Sequence, residues 1–110
     1  MVRKKGSDRE RRRHPRLESL YLVSYVSREG DVQKSGVSMA RTVNISPAGV
    51  AVEVYQSLAL HSRIEMEIAI RDRIFAVNGE VVHSQAQPDG KWVIGIQFDQ
   101  PQDELVREVT

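Results

Sequence analysis

Cysteine is absent from this 110-residue sequence, so it has no disulfide, thiolate metal site or cysteine nucleophile. Aromatic residues are scarce, at three Tyr, two Phe and one Trp, too few for a stacking platform that would follow a nucleic-acid strand. No apolar run approaches the roughly 20 residues of a membrane-spanning helix. The charged N-terminus lacks the apolar core of a signal peptide. These absences imply a cytoplasmic protein without membrane insertion. Catalytic signatures are missing as well: there is no Gly-x-x-x-x-Gly-Lys phosphate loop, no nucleophile beside an evident base, and no acid pair with an obvious role. His14, His61 and His83 lie far apart in the chain, whereas a metal site needs three or four converging ligands. The expectation is a single domain that is not an enzyme and carries neither metal nor cofactor.

What is present is a charge asymmetry hidden by a net charge of +1. Residues 1–16 hold eight basic and two acidic side chains, net +6, while the other 94 residues hold eight basic and thirteen acidic ones, net −5. A basic arm on a mildly acidic body implies that the arm meets an anion. The arm has no apolar periodicity and cannot bury enough surface to offset its ordering entropy, so mobility is expected there. Pro15 opposes a helix through it by pushing His14 toward extended geometry. The expected division is 1–16 arm and 17–110 folded domain.

After Arg16 the pattern is one of strands. Leu20 to Val26 is rich in β-branched, aromatic and apolar residues. Residues 28–36, with Gly30, Asp31 and Gly36, read as a loop. Val37, Met39, Val43 and Ile45 come near to strict alternation, the pattern of a half-buried strand. Ser46-Pro47-Ala48-Gly49 is a turn by composition, proline presetting one dihedral and glycine accepting positive φ. Val50–Val54 and Ile64–Ile70 give two more strands, with Glu65 and Glu67 facing water. Ile74–His83 follows, with Gly79 as a bulge or bend, and Trp92–Phe98 completes the set. Leu105 and Val109 stand at i and i+4 of a short C-terminal helix, with Asp103 and Glu104 suited to its first turn. About six short strands and no long helix predict an all-β fold, a six-stranded antiparallel β-barrel or a sandwich.

Two constellations stand out. Arg12 and Arg16 are spaced Arg-x-x-x-Arg, with Arg11 and Arg13 beside Arg12; guanidinium forks bind phosphate oxygens or the O6/N7 edge of guanine in pairs. Asn44-Ile45-Ser46-Pro47-Ala48-Gly49 joins two strands with polar side chains and outward backbone N–H groups. Taken singly, the first is what a solvated basic tail offers and the second what an ordinary hairpin offers. In this order, on one barrel-sized chain, they resemble the PilZ domain family, whose motifs are Arg-x-x-x-Arg followed by Asp/Asn-x-Ser-x-x-Gly. Gly79-Glu80-Val81-Val82 and Ile94-Gly95-Ile96-Gln97-Phe98 are similar to its later strands, so the resemblance spans about residues 9–109.

The resemblance implies a six-stranded antiparallel barrel that binds cyclic di-GMP, a dianion with two guanines. It implies that Arg12 and Arg16 contact phosphates and guanine edges, that Asn44 and Ser46 read guanine atoms or hold an arginine, and that Gly49 shapes the turn. Arg11, just before the first motif, is the residue type associated with a stacked ligand pair. Trp92 is a further candidate for stacking on a guanine, although packing accounts for most tryptophans. The function so implied is a second-messenger receptor in which ligand orders the arm and signals to an unidentified partner protein. A ligand-blind PilZ-like adaptor and a small nucleic-acid-binding barrel are the alternatives; the acidic body opposes the second, and the intact motifs oppose the first.

Overall fold

The computed structural model describes residues 17–18, 20–30, 32–33 and 36–109, the first two by backbone only. The arm, and with it Arg11, Arg12 and Arg16, lies outside the described residues. The strands are β1 (Leu17–Glu18), β2 (Leu22–Glu29), β3 (Val32–Gln33), β4 (Ser38–Ser46), β5 (Gly49–Val54), β6 (Arg63–Ile70), β7 (Arg73–Ala86) and β8 (Trp92–Phe98), followed by helix α1 (Asp103–Val109). Every pairing is antiparallel. Six strands close in the order β2-β4-β5-β8-β7-β6 and back to β2, because β2 pairs with both β4 and β6. The two-residue strands β1 and β3 add to β4 and β2 beyond the point where those two separate.

Side-chain alternation fills the barrel. β6 is the clearest case: Ile64, Met66, Ile68 and Ile70 point inward and Glu65 and Glu67 outward, as expected. Val23, Ile45, Val52, Val54, Val81 and Ile94 join them with 2% exposure or less. Burying each such side chain stabilises the fold by about 1.5–3 kcal/mol before entropy is counted. α1 closes one end. Its Leu105 is fully buried, and Val106 and Val109 pack against the same core, which agrees with the i, i+4 reading. Arg73 at the start of β7 donates to Glu104 at 2.9 Å and Glu108 at 3.3 Å.

Three expectations are corrected. Val37, just before β4, and Met39 within it are exposed, and Ala40, Thr42 and Ile45 face the core. The register shifts between Thr42 and Asn44, so Val43 is an extra residue that resets the period of two. The apparent run of alternating apolar positions therefore joins two faces. Residues 28–36 are not all loop, since β2 runs to Glu29 and β3 pairs with it. β1 was also unforeseen: two residues carry no readable period. Finally, the positive-φ residues among those described are His61, Arg71, Gly30 and Gly90. Gly49 is not among them. A Cβ on Gly49 would instead fall 2.4 Å from the carbonyl oxygen of Ile96, so glycine is required there because β8 passes too closely.

Candidate ligand site

The site is built from rows of residues that face each other across strands, since directly opposed residues of an antiparallel pair share a face. One row runs Asn44, Ala51, Gly95, His83 across β4, β5, β8 and β7. The next runs Ser46, Gly49, Gln97, Glu80. The turn Pro47–Ala48 joins β4 to β5. Both turn carbonyls are occupied from the C-terminal side: Phe98 donates to Ala48 and Gln102 to Pro47, each at 2.9 Å. Ser46 is buried, and its hydroxyl lies 3.4 Å from the Gly49 carbonyl oxygen. β8 and the segment leading into α1 thus hold the polar turn in place.

Small residues at Gly49, Ala51 and Gly95 leave a depression of about 350 Å³ on this outer wall, with Ser46 at one end and His83 and Gln97 along the other. None of its lining residues is Asp, Glu, Lys or Arg. The wall therefore offers shape and hydrogen bonds, and charge for an anionic ligand has to come from elsewhere in the chain. A second depression, about 340 Å³, lies on the opposite wall and is lined partly by Glu65 and Glu67; those carboxylates disfavour an anion. At the margins of the first wall the charges are already matched. Arg41 donates to Glu53 at 2.8 Å, which raises its pKa above the ordinary guanidinium value. His61 Nδ1 is 2.7 Å from Glu80, and Arg63 is paired with Asp99.

Of the expected site residues, the structure brings Asn44, Ser46 and Gly49 together on one wall. It places Trp92 apart: Trp92 pairs with Val54 and Ala86 at the far end of β8, on the inward row, and packs against the core. The arginines lie outside the described residues. Their point of attachment does not. Leu17, the residue after Arg16, pairs with Ile45, between Asn44 and Ser46. His83, Gly95 and Gln97 were not anticipated at the site. The one available signal was Gly95 inside an apolar strand, a mark of close approach by something above it. Among the described residues no group of three His, Asp or Glu could hold a metal ion, and no helix is long and apolar enough to cross a membrane.

A model of the PilZ domain family matches residues 10–110. No curated protein matches the sequence. Among solved structures, the PilZ domain of YcgR from Escherichia coli, in complex with c-di-GMP, superposes with a TM-score of 0.63 at 13% identity, over 89% of this chain and 85% of that one. The Bacillus subtilis inhibitor of motility MotI/DgrA gives 0.69 at 16% identity, over 88% of this chain. The K. pneumonia MrkH–c-di-GMP complex gives 0.60 at 15% identity, over 90% of this chain. The chain spans about half the length of the last two, 46% and 48%. At these identities the likeness is one of fold.

Proposed function

The chain belongs to the PilZ domain family, and from that premise we propose that it is a non-catalytic receptor for cyclic di-GMP, bound between the 1–16 segment and the wall that carries Asn44, Ser46 and Gly49. The observation that carries this reading is the pairing of Leu17 with Ile45. It tethers the arginine segment at the polar turn. Arg16 is the adjacent residue, and Arg12 is five residues from Leu17, within a reach of about 18 Å of fully extended chain.

The division of labour follows from charge. The depression in the wall is lined by no Asp, Glu, Lys or Arg; the segment 1–16 is net +6. A ligand with two phosphodiesters and two flat guanines needs both. Arg12 and Arg16 supply the forks for phosphate and guanine edges, with Arg11 beside them as the residue that favours a stacked ligand pair. Asn44 and Ser46 supply hydrogen bonds, and Gly49 keeps the turn against β8. Trp92, inward at the other end of β8, belongs to the packing. Ligand binding then fixes the segment 1–16 against the wall and presents an altered surface to a partner protein, an order-dependent switch. YcgR and MrkH are seen with c-di-GMP, which supports the choice of ligand.

Titration calorimetry with cyclic di-GMP at low salt tests the reading. Binding is expected, with ligand recovered unchanged. Arg12→Ala and Arg16→Ala are each expected to weaken it about tenfold or more, since hydrogen bonds to charged groups contribute roughly 1.5–3 kcal/mol. No heat of binding at tens of micromolar ligand would sink the proposal.

A further inference from the structure

We propose that the outer wall opposite the ligand depression, formed by β2, β6 and the first half of β7, docks a cationic amphipathic helix of a partner protein. The inference concerns a different face from the receptor reading and holds whether or not cyclic di-GMP binds.

The rows across the strands are the first ground. Met39 opposes Ser24, Ser24 opposes Glu67, and Glu67 opposes Ala76. Val26, Glu65 and Asn78 form the next row. Both rows face outward, because the intervening Tyr25, Met66 and Val77 are buried. Ser24 and Ala76 are short, and the depression of about 340 Å³ lies over them. Aliphatic side chains stand around it: Leu22, Val37, Met39 and Ile74 are each more than half exposed. Leu22 shares the outward side of β2 with Ser24, and Ile74 that of β7 with Ala76. Apolar side chains gathered around one recess mark an interaction surface, whereas scattered ones would not.

Charge is the second ground. Glu65 is matched by Arg28 at 2.9 Å. Among the described residues no cation pairs with Glu67, which stands in the middle of its row. The depression has no Lys or Arg in its lining. A lone carboxylate within an apolar surround selects a Lys or Arg flanked by aliphatic residues.

The backbone sets the form of the partner. β6, at the centre, is bonded to β2 on one side and β7 on the other. The wall therefore offers side chains and no free edge for a strand to join, which suits a helix laid across a sheet face. Two other occupants fit less well. In a symmetric pair of copies, two Glu67 carboxylates would approach each other in an apolar setting. Residues 1–16 have the charge, but Met1 and Val2 are their only large aliphatic side chains, too few to cover the apolar rim.

The test uses the full chain and two synthetic helices of about 18 residues, five turns. Both carry Leu on one face, with Lys on the other face of the first and Glu on that of the second. In NMR titrations the Lys peptide is expected to bind at least about tenfold more tightly than the Glu peptide, and to shift the amides of β2, β6 and residues 74–78. Glu67→Gln is expected to weaken the Lys peptide about threefold to fivefold, the upper range for one ion pair at a surface. Met39→Gln should weaken it by a similar factor, about threefold to fivefold, through lost apolar contact. Both side chains are exposed, so thermal midpoints and affinity for cyclic di-GMP should stay as they are. Equal binding of the two peptides, or a Lys peptide indifferent to both variants, would overturn the proposal. A dimer in sedimentation that Met39→Gln dissolves would do so in favour of a second copy. The chain has no native cysteine, so a nitroxide on Ser7→Cys reports one site; broadening of the Glu67 and Ala76 amides by it would give the wall to residues 1–16 instead.

Discussion

The two ends of β8 belong to one seven-residue strand, yet they are secured in different ways. At the Trp92 end the hydrogen bonds outside the strand ladder are local. Gln87 donates to Lys91 at 2.8 Å and Gly90 to Gln87 at 3.1 Å, Gly90 takes a φ of 89°, and the Lys91 amide donates to Asp89 at 3.0 Å. At the Phe98 end the links join distant parts of the chain. Phe98 and Gln102 donate to the turn at 47–48, and Asp99 donates to Asn78 at 3.0 Å. The local end is a hairpin that folds by its own turn chemistry. The remote end is an assembly of turn, strand and helix start, and it is there that Ser46 and Gly49 sit. A wall made this way is only as well placed as its long-range contacts.

The largest effect expected from testing that contrast is on stability. Trp92→Ala should cost roughly 2–3 kcal/mol, somewhat below the value for a fully buried aromatic, as read by urea unfolding. Its affinity for cyclic di-GMP should stay at that of the unaltered chain. An affinity loss as large as that of Arg16→Ala, in protein that remains folded, would move Trp92 into the site and erase the contrast.

Next comes a comparison of glycines. Gly49→Ala forces a methyl toward the Ile96 carbonyl oxygen and should cost about 1–3 kcal/mol, as overpacking does. Because the turn must shift, ligand affinity should fall with it. Gly90→Ala meets nothing within 4 Å and should cost only about 1–2 kcal/mol for its left-handed backbone, with affinity unchanged. Equal affinities in the two variants would show that the turn's position against β8 does not matter to the ligand.

The smallest effect concerns α1. The hydrogen bond from Arg73 holds the Glu104 carboxyl below its ordinary pKa. The folded state therefore gains from ionised Glu104 above the unfolded carboxyl's pKa, and that gain is lost as pH falls through the lowered folded value. Both groups are exposed, so the contribution is slight. Glu104→Gln should lower the thermal midpoint a little at neutral pH, and the two midpoints should converge in acid. A difference that persists in acid would assign the effect to helix packing.

Much of this architecture was legible before any coordinates. The Ile64–Ile70 alternation, the turn at 46–49 and the helical spacing of Leu105 and Val109 are properties of neighbouring residues, and neighbouring residues suffice to read them. The failures share a cause. In β4 the extra residue at Val43 made two faces look like one, and in β7 the shift after Val81 brings His83 to the outer wall, a placement its own strand does not spell out. A bulge is defined by what lies across the ladder, and a single strand's sequence does not contain its partner.

The all-β class, the cationic segment, the polar turn and the family resemblance can be read from the chain alone, because period, charge and motif order are written along it. Tertiary structure alone decided that Gly49 is needed for the approach of Ile96, that Gly95 makes room for His83, that Trp92 turns inward, and that Leu17 pairs with Ile45, between Asn44 and Ser46. Each of these is a distance between residues remote in sequence, fixed only when the strands close into a ring and their registers are set.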